Sequence, residues 1–195
     1  MSALLSLGIA LVMLPAEFWP LERLFPARAQ RRFRGEFSTD LAFMAGQYLV
    51  WPLLALHVLT YLDAVFALVV PGALRGAVAA CPWALQALVA VAAGDMCVYW
   101  FHVASHRVPW LWRFHSVHHS SRHLDWLAAH REHPVDGLLT QLAINGPAML
   151  LGVDMTLLGW LVGLRGVWAI FIHSNVRMPL GPLRVLLGAP ELHHW

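Results

Sequence analysis

Between Leu41 and Leu59 the chain runs nineteen residues without a charge, and between Ala77 and Trp100 it carries only Asp95. A bilayer core about 30 Å thick takes roughly 20 apolar residues as helix. Both runs therefore read as membrane spans, the first with a kink expected at Trp51-Pro52, where the ring removes a backbone donor. The rest of the chain agrees: 59% of the 195 residues are hydrophobic and 12% are charged. Soluble domains carry about twice that share of charge.

Two shorter apolar runs, Leu138 to Val153 and Met155 to Ile172, are separated at Gly152-Val153-Asp154 and read as a tight helical hairpin. The opening run, Ala3 to Leu14, has no basic residue before it and no small-residue cleavage site after it, so a first membrane or interfacial helix is expected rather than a signal peptide. The expected fold is all-α: a membrane helical bundle of about four to five spans or hairpin segments, forming one domain over residues 1–195. Two cysteines, Cys81 and Cys97, give neither a disulfide framework nor a CxxC pair.

All thirteen basic residues are arginine, and five of them fall between Arg23 and Arg34. Short arginine-rich loops stay on the cytoplasmic side. Two spans onward, the stretch from His102 to His133 returns to that side with Arg107, Arg113, Arg122 and Arg131. A multi-pass protein with a cytoplasmic histidine-rich cap is the result. Arginines spread over several loops reflect orientation, and nucleic acid is not an expected partner.

Nine of the twelve histidines lie between His102 and His173. His102 and His106 are four apart, which puts both on one helix face. His115, His118 and His119 add i and i+3 neighbours and an adjacent ring aimed elsewhere. Five imidazoles in eighteen residues are hard to accommodate as packing, since each neutral ring has a donor and an acceptor to satisfy. Metal binding is the reading, though imidazole suits zinc, copper, iron and nickel alike. No HExxH, His/Cys zinc pattern or pair of ExxH motifs is present.

His57 reads as an interfacial or packing residue, and His123 and His130 as supporting or surface residues. Asp95 lies nearly two helical turns before His102. It either orients an imidazole from another segment or pairs with intramembrane Arg165. Trp110, Trp112 and Trp126 read as an interfacial belt, with a substrate tunnel as the other use.

In order, HxxxH, HxxHH, Arg131-Glu-His133-Pro134, an apolar helix ending in His173-Ser-Asn175, and Pro190-Glu-Leu-His193-His194 resemble the fatty acid hydroxylase/sterol desaturase superfamily. The resemblance runs from about Asp95 to the end. It implies His102, His106, His115, His118, His119, His133, His173 and His193 as metal ligands. It also implies two non-haem iron ions, dioxygen as co-substrate, and a lipid or sterol-like substrate entering from the bilayer, to be hydroxylated or desaturated. The closing box stops at Trp195, so a chain incomplete at its C-terminus is expected. With no Rossmann fingerprint or CxxCH, electrons are expected from a separate reductase or small carrier. The competing reading is a non-enzymatic histidine-rich membrane protein that binds or transports metal.

Overall fold

The structure is a computed structural model describing residues 2–178 and 180–193, without the side chains of Pro52, Ala55, Leu186, Leu187, Glu191 and His193. It is 76% helical, with no strand among the described residues; the one β-bridge among them joins Pro26 and Val176. The helices are α1 (Ala3–Leu24), α2 (Phe37–Leu49), α3 (Trp51–Val69), α4 (Gly72–Ala79), α5 (Trp83–Arg107), α6 (Pro109–His118), α7 (Pro134–Leu151), α8 (Met155–His173), α9 (Leu183–Leu187) and α10 (Pro190–His193). Helices α1, α5 and α8 are long and apolar enough to cross a membrane. Leu56–Val69 and Gly72–Ala79, bent by 119° at their break, make a fourth span if counted as one. Leu4, Val12, Leu88, Met96, Trp160 and Leu164 are more than half exposed, an apolar exterior suited to lipid.

The expected span from Leu41 to Leu59 is divided. Helix α2 closes at Val50, whose N–H bonds to the Gly46 carbonyl, and α3 starts afresh at Trp51. Proline has no N–H for an i−4 bond, and its place one residue into a new helix removes that defect. The 138–172 run does fold as two helices around Gly152, whose φ of 79° closes α7 in the left-handed region against Arg75. Among the described residues α7 itself does not qualify as a span.

The chain forms two compact units, neither of them continuous in sequence. The first comprises residues 1–52, 117–132 and 166–195. Its core is a stripe of Ala10, Leu14 and Phe18 from α1, four residues apart and so on one face, packed with Met44, Trp126, Leu127, Ile170, Phe171 and Val176. Trp126 is thus an interior residue, set edge-on to Trp19, and not part of an exposed aromatic belt. Trp110 and Trp112 are exposed.

The second unit comprises residues 53–116 and 133–165. Here α5 packs along α7 through Gln86, Ala90 and Gly94, again four residues apart. A Cβ at Gly94 would collide with the Ile144 carbonyl, so only glycine lets the two backbones approach. Gln86 is buried with its amide fully used: it donates to the Ala79 and Cys81 carbonyls and accepts from the Asp154 N–H. That ties the start of α8 to the start of α5.

Candidate metal centre

In the second unit α5 ends in two turns that carry His102 and His106, and Val108-Pro109 then reverses the chain into α6, which carries His115. These three residues each offer a nitrogen within 4.8 Å of the others. The Nε2 atoms of His102 and His106 are 3.2 Å apart, and the His115 ring lies 4.7 and 4.9 Å from theirs. His115 is buried and its Nδ1 meets Asp136 Oδ2 at 2.9 Å, with both side chains all but inaccessible. Asp136 is held there because His133-Pro134 opens α7, where proline at the first position and an acid in the first turn are both favoured.

His133 caps that helix, its Nδ1 accepting from the Val135 N–H at 3.1 Å while its ring lies 4.9 Å from Phe114. A neutral imidazole accepting at Nδ1 carries its proton on Nε2. In this arrangement the ring caps the start of α7.

In the first unit the Nε2 atoms of His118 and His173 face each other at 2.8 Å. His118 Nδ1 donates to the Arg131 carbonyl at 3.1 Å and His173 Nδ1 to the Ala169 carbonyl at 2.6 Å. With both protons on Nδ1, two lone pairs converge on one point. That is unfavourable between neutral rings and favourable around a cation. Two nitrogens bound at about 2.1 Å and at right angles to one another stand about 3.0 Å apart, close to both His–His separations. A carbonyl or carboxylate partner on the second nitrogen is the usual setting of a metal-binding imidazole. The donor set therefore fits a transition metal.

His119, exposed, belongs to the first unit with its ring 5.2 Å from that of His118. His193 ends α10, and its side chain lies outside the described residues. Asp95 pairs with Arg165 at 2.7 Å, the second of the two arrangements open to it in the sequence. The carboxylate that meets a box histidine is Asp136, three residues beyond His133.

Behind His118 lies a buried ionic network within the first unit. Arg34 grips Asp125 through Nε and Nη2, each at 2.7 Å, and also reaches Asp40 at 2.7 Å. Arg131 binds Asp40 through Nε at 2.5 Å and Glu36 through Nη2 at 3.2 Å. The Arg122 backbone N–H and the neighbouring arginines hold the Glu36 carboxyl below its usual range. Asp40 thus fixes Arg131, whose carbonyl fixes His118. Glu22 accepts from the Trp126 and Asn175 N–H groups and so joins the histidine-bearing loop to the residues just after His173. His130 is buried with Nδ1 on Gln47 Oε1 at 2.7 Å, and burial pushes its pKa down to about 4.

A helical membrane protein that gathers imidazoles with carboxylate and carbonyl partners is the class these features define. Residues 87–195 match the Fatty acid hydroxylase family, and the chain belongs to it. Over 114 residues it is 31% identical to the ornithine lipid hydroxylase OlsE of Rhizobium tropici, covering 58% of this chain and 34% of that protein. Over 99 residues it is 29% and 28% identical to the alkylglycerol monooxygenases of Danio rerio and Homo sapiens, covering 51% of this chain and 22% of each of those. The aligned part therefore spans about a third or less of these relatives. No solved structure matches the chain.

Proposed function

We propose that this chain carries the catalytic region of a membrane-bound oxygenase that hydroxylates or desaturates a lipid or sterol-like substrate, using O2, two non-haem irons and electrons from an external reductase or small carrier. The observation that carries the reading is the state of the rings: His115, His118 and His173 each have Nδ1 against an oxygen acceptor, which puts the lone pair on Nε2, the nitrogen a metal would take. The ligand set is His102, His106, His115, His118, His119, His173 and His193, with His133 supporting α7. The proposed side of the membrane is the cytoplasmic one, a reading supported by the arginine-rich loop over residues 23–34.

Bound iron would supply the oxygen activation needed to attack an unactivated C–H bond, which no acid or base in the chain can do. The protein's own part is positional. Asp136 keeps the His115 ring in one orientation, with its proton on Nδ1 and the lone pair on Nε2. The Arg131 and Ala169 carbonyls do the same for His118 and His173. Helices α1, α5 and α8, long and apolar enough to cross a membrane, support a substrate that arrives from the bilayer.

The test is a single-turnover experiment in lipid nanodiscs: iron-loaded, chemically reduced protein is exposed to O2 and the lipids are analysed by mass spectrometry. Products heavier by one oxygen or lighter by two hydrogens are expected, and they should be lost in His118→Ala. Unchanged lipids, with zinc or copper bound reversibly instead, would favour the non-enzymatic metal-binding protein.

A further inference from the structure

The first unit contains a cavity of about 660 Å³ walled by Arg28, Arg31, Arg34 and Arg122, with His118 and His173 also lining it. Among the described residues, no aspartate or glutamate lines it. Its volume is in the range of small-molecule sites. A topogenic loop needs arginines, but it does not need them arranged around a concavity, and here the backbone of the loop is pinned by hydrogen bonds. Asn175, two residues past His173, accepts from the Arg28 N–H at 2.9 Å and donates to the Arg28 carbonyl at 2.7 Å. The Ala27 N–H bonds to the Asn175 carbonyl and the Arg177 N–H to the Phe25 carbonyl. Further along, Gln30 donates to the Leu124 carbonyl at 2.8 Å and Arg34 is clamped by Asp125. The arginine loop is thereby stitched both to the segment after His173 and to the loop after His119.

The arginines are not equivalent. Arg34 is buried and committed to Asp40 and Asp125. Arg122 is 86% exposed and only 4.0 Å from Glu36, a separation that leaves its guanidinium available. Arg31 is exposed and lines the same wall. His123, also in the lining, has a buried Nδ1 with no partner. Guanidinium groups gathered around a concavity suit phosphate and carboxylate above other ligands.

We propose that this cavity receives the anionic head group, a phosphate monoester or carboxylate, of the lipid substrate, with Arg31 and Arg122 as its recognition residues. The assignment rests on the lipid oxygenase reading and deepens it: oxidation would then fall on carbons near the head group, those closest to His118 and His173. A concave site of this size suits a head group, whereas the face of an acidic protein would meet only its rim.

The experiment is equilibrium binding to the whole chain in neutral detergent, followed by tryptophan fluorescence and calorimetry. The probes are lysophosphatidic acid, lysophosphatidylcholine of the same chain length, inorganic phosphate and a short polyglutamate peptide. Lysophosphatidic acid should bind at least about tenfold more tightly than lysophosphatidylcholine. That preference should vanish in Arg31→Gln/Arg122→Gln and persist in Arg184→Gln, an exposed arginine outside the cavity. Equal binding of the two lipids, or a preference surviving the double variant, overturns the assignment. Displacement of lysophosphatidic acid by phosphate or polyglutamate at equal concentration overturns the lipid source. Iron content separates the readings: bound iron without head-group preference defeats this inference alone, and preference without any iron defeats the oxygenase reading alone.

Discussion

Replacing Asp40 by asparagine keeps the shape of a fully buried side chain and removes the charge that joins two arginines. Arg34 would retain its two bonds to Asp125, and Arg131 would retain Glu36 at 3.2 Å. Breaking a buried ion pair by removing one partner costs about 3–5 kcal/mol. Because each arginine keeps one carboxylate here, the lower end, about 3 kcal/mol, is expected. For a chain of this size that is a fall of roughly 6–12 °C in the melting temperature, read from thermal unfolding in detergent. The loss should be coupled. Combining Asp40→Asn with Arg131→Gln should cost less than the two single changes summed, by about 1–3 kcal/mol. Metal affinity should fall as well, since the Arg131 carbonyl holds His118 Nδ1. A melting point within about 1 °C of the parent, or strict additivity in the cycle, would refute the idea that Asp40 holds this loop.

Asp136→Asn should weaken metal binding by about 10–100-fold, as loss of a carboxylate behind a ligand does, with the fold intact by circular dichroism; competitive chelator titration measures it. His130 gives a pH signature. Its folded pKa of about 4 lies below the ordinary 6.5, so only the unfolded chain takes up the proton between those values. Stability should be full above pH about 6.5 and fall by roughly 3 kcal/mol on the way down to pH about 4; in His130→Gln that slope of melting temperature against pH should be largely absent. Gly94→Ala drives a methyl group into the α7 backbone and should destabilise by about 1–3 kcal/mol, read from the same unfolding assay, whereas Gly159→Ala, with open space around it, should change little.

The features legible in the sequence were those written in local spacing. His102 and His106 sit one helical turn apart and do converge with His115, and α8 falls where its apolar run placed it, whereas α5 starts at Trp83, inside the expected 77–100 run, and carries on to Arg107. The supporting shell was not legible, because it is tertiary: Asp40 meets Arg131 from 91 positions away, Gln47 meets His130 from 83, and Glu22 meets Asn175 from 153. Asp136 had a local signal, an acid in the first turn after His-Pro, but its meeting with His115 depends on how α6 lies against α7. The run from Leu41 to Leu59 misled because hydropathy sums over residues and does not see that Pro52 can start a helix as well as bend one. Trp126 misled similarly: flanking a histidine box says nothing about burial, and the ring packs on Trp19 inside the first unit.

The most direct test of the central claim is iron per chain, by elemental analysis of the detergent-purified whole chain reconstituted with ferrous iron, beside His115→Ala, His118→Ala and the double variant. The account predicts up to about two irons per chain, fewer in each single variant and fewest in the double. No retained iron, or the same iron in all four proteins, would contradict it.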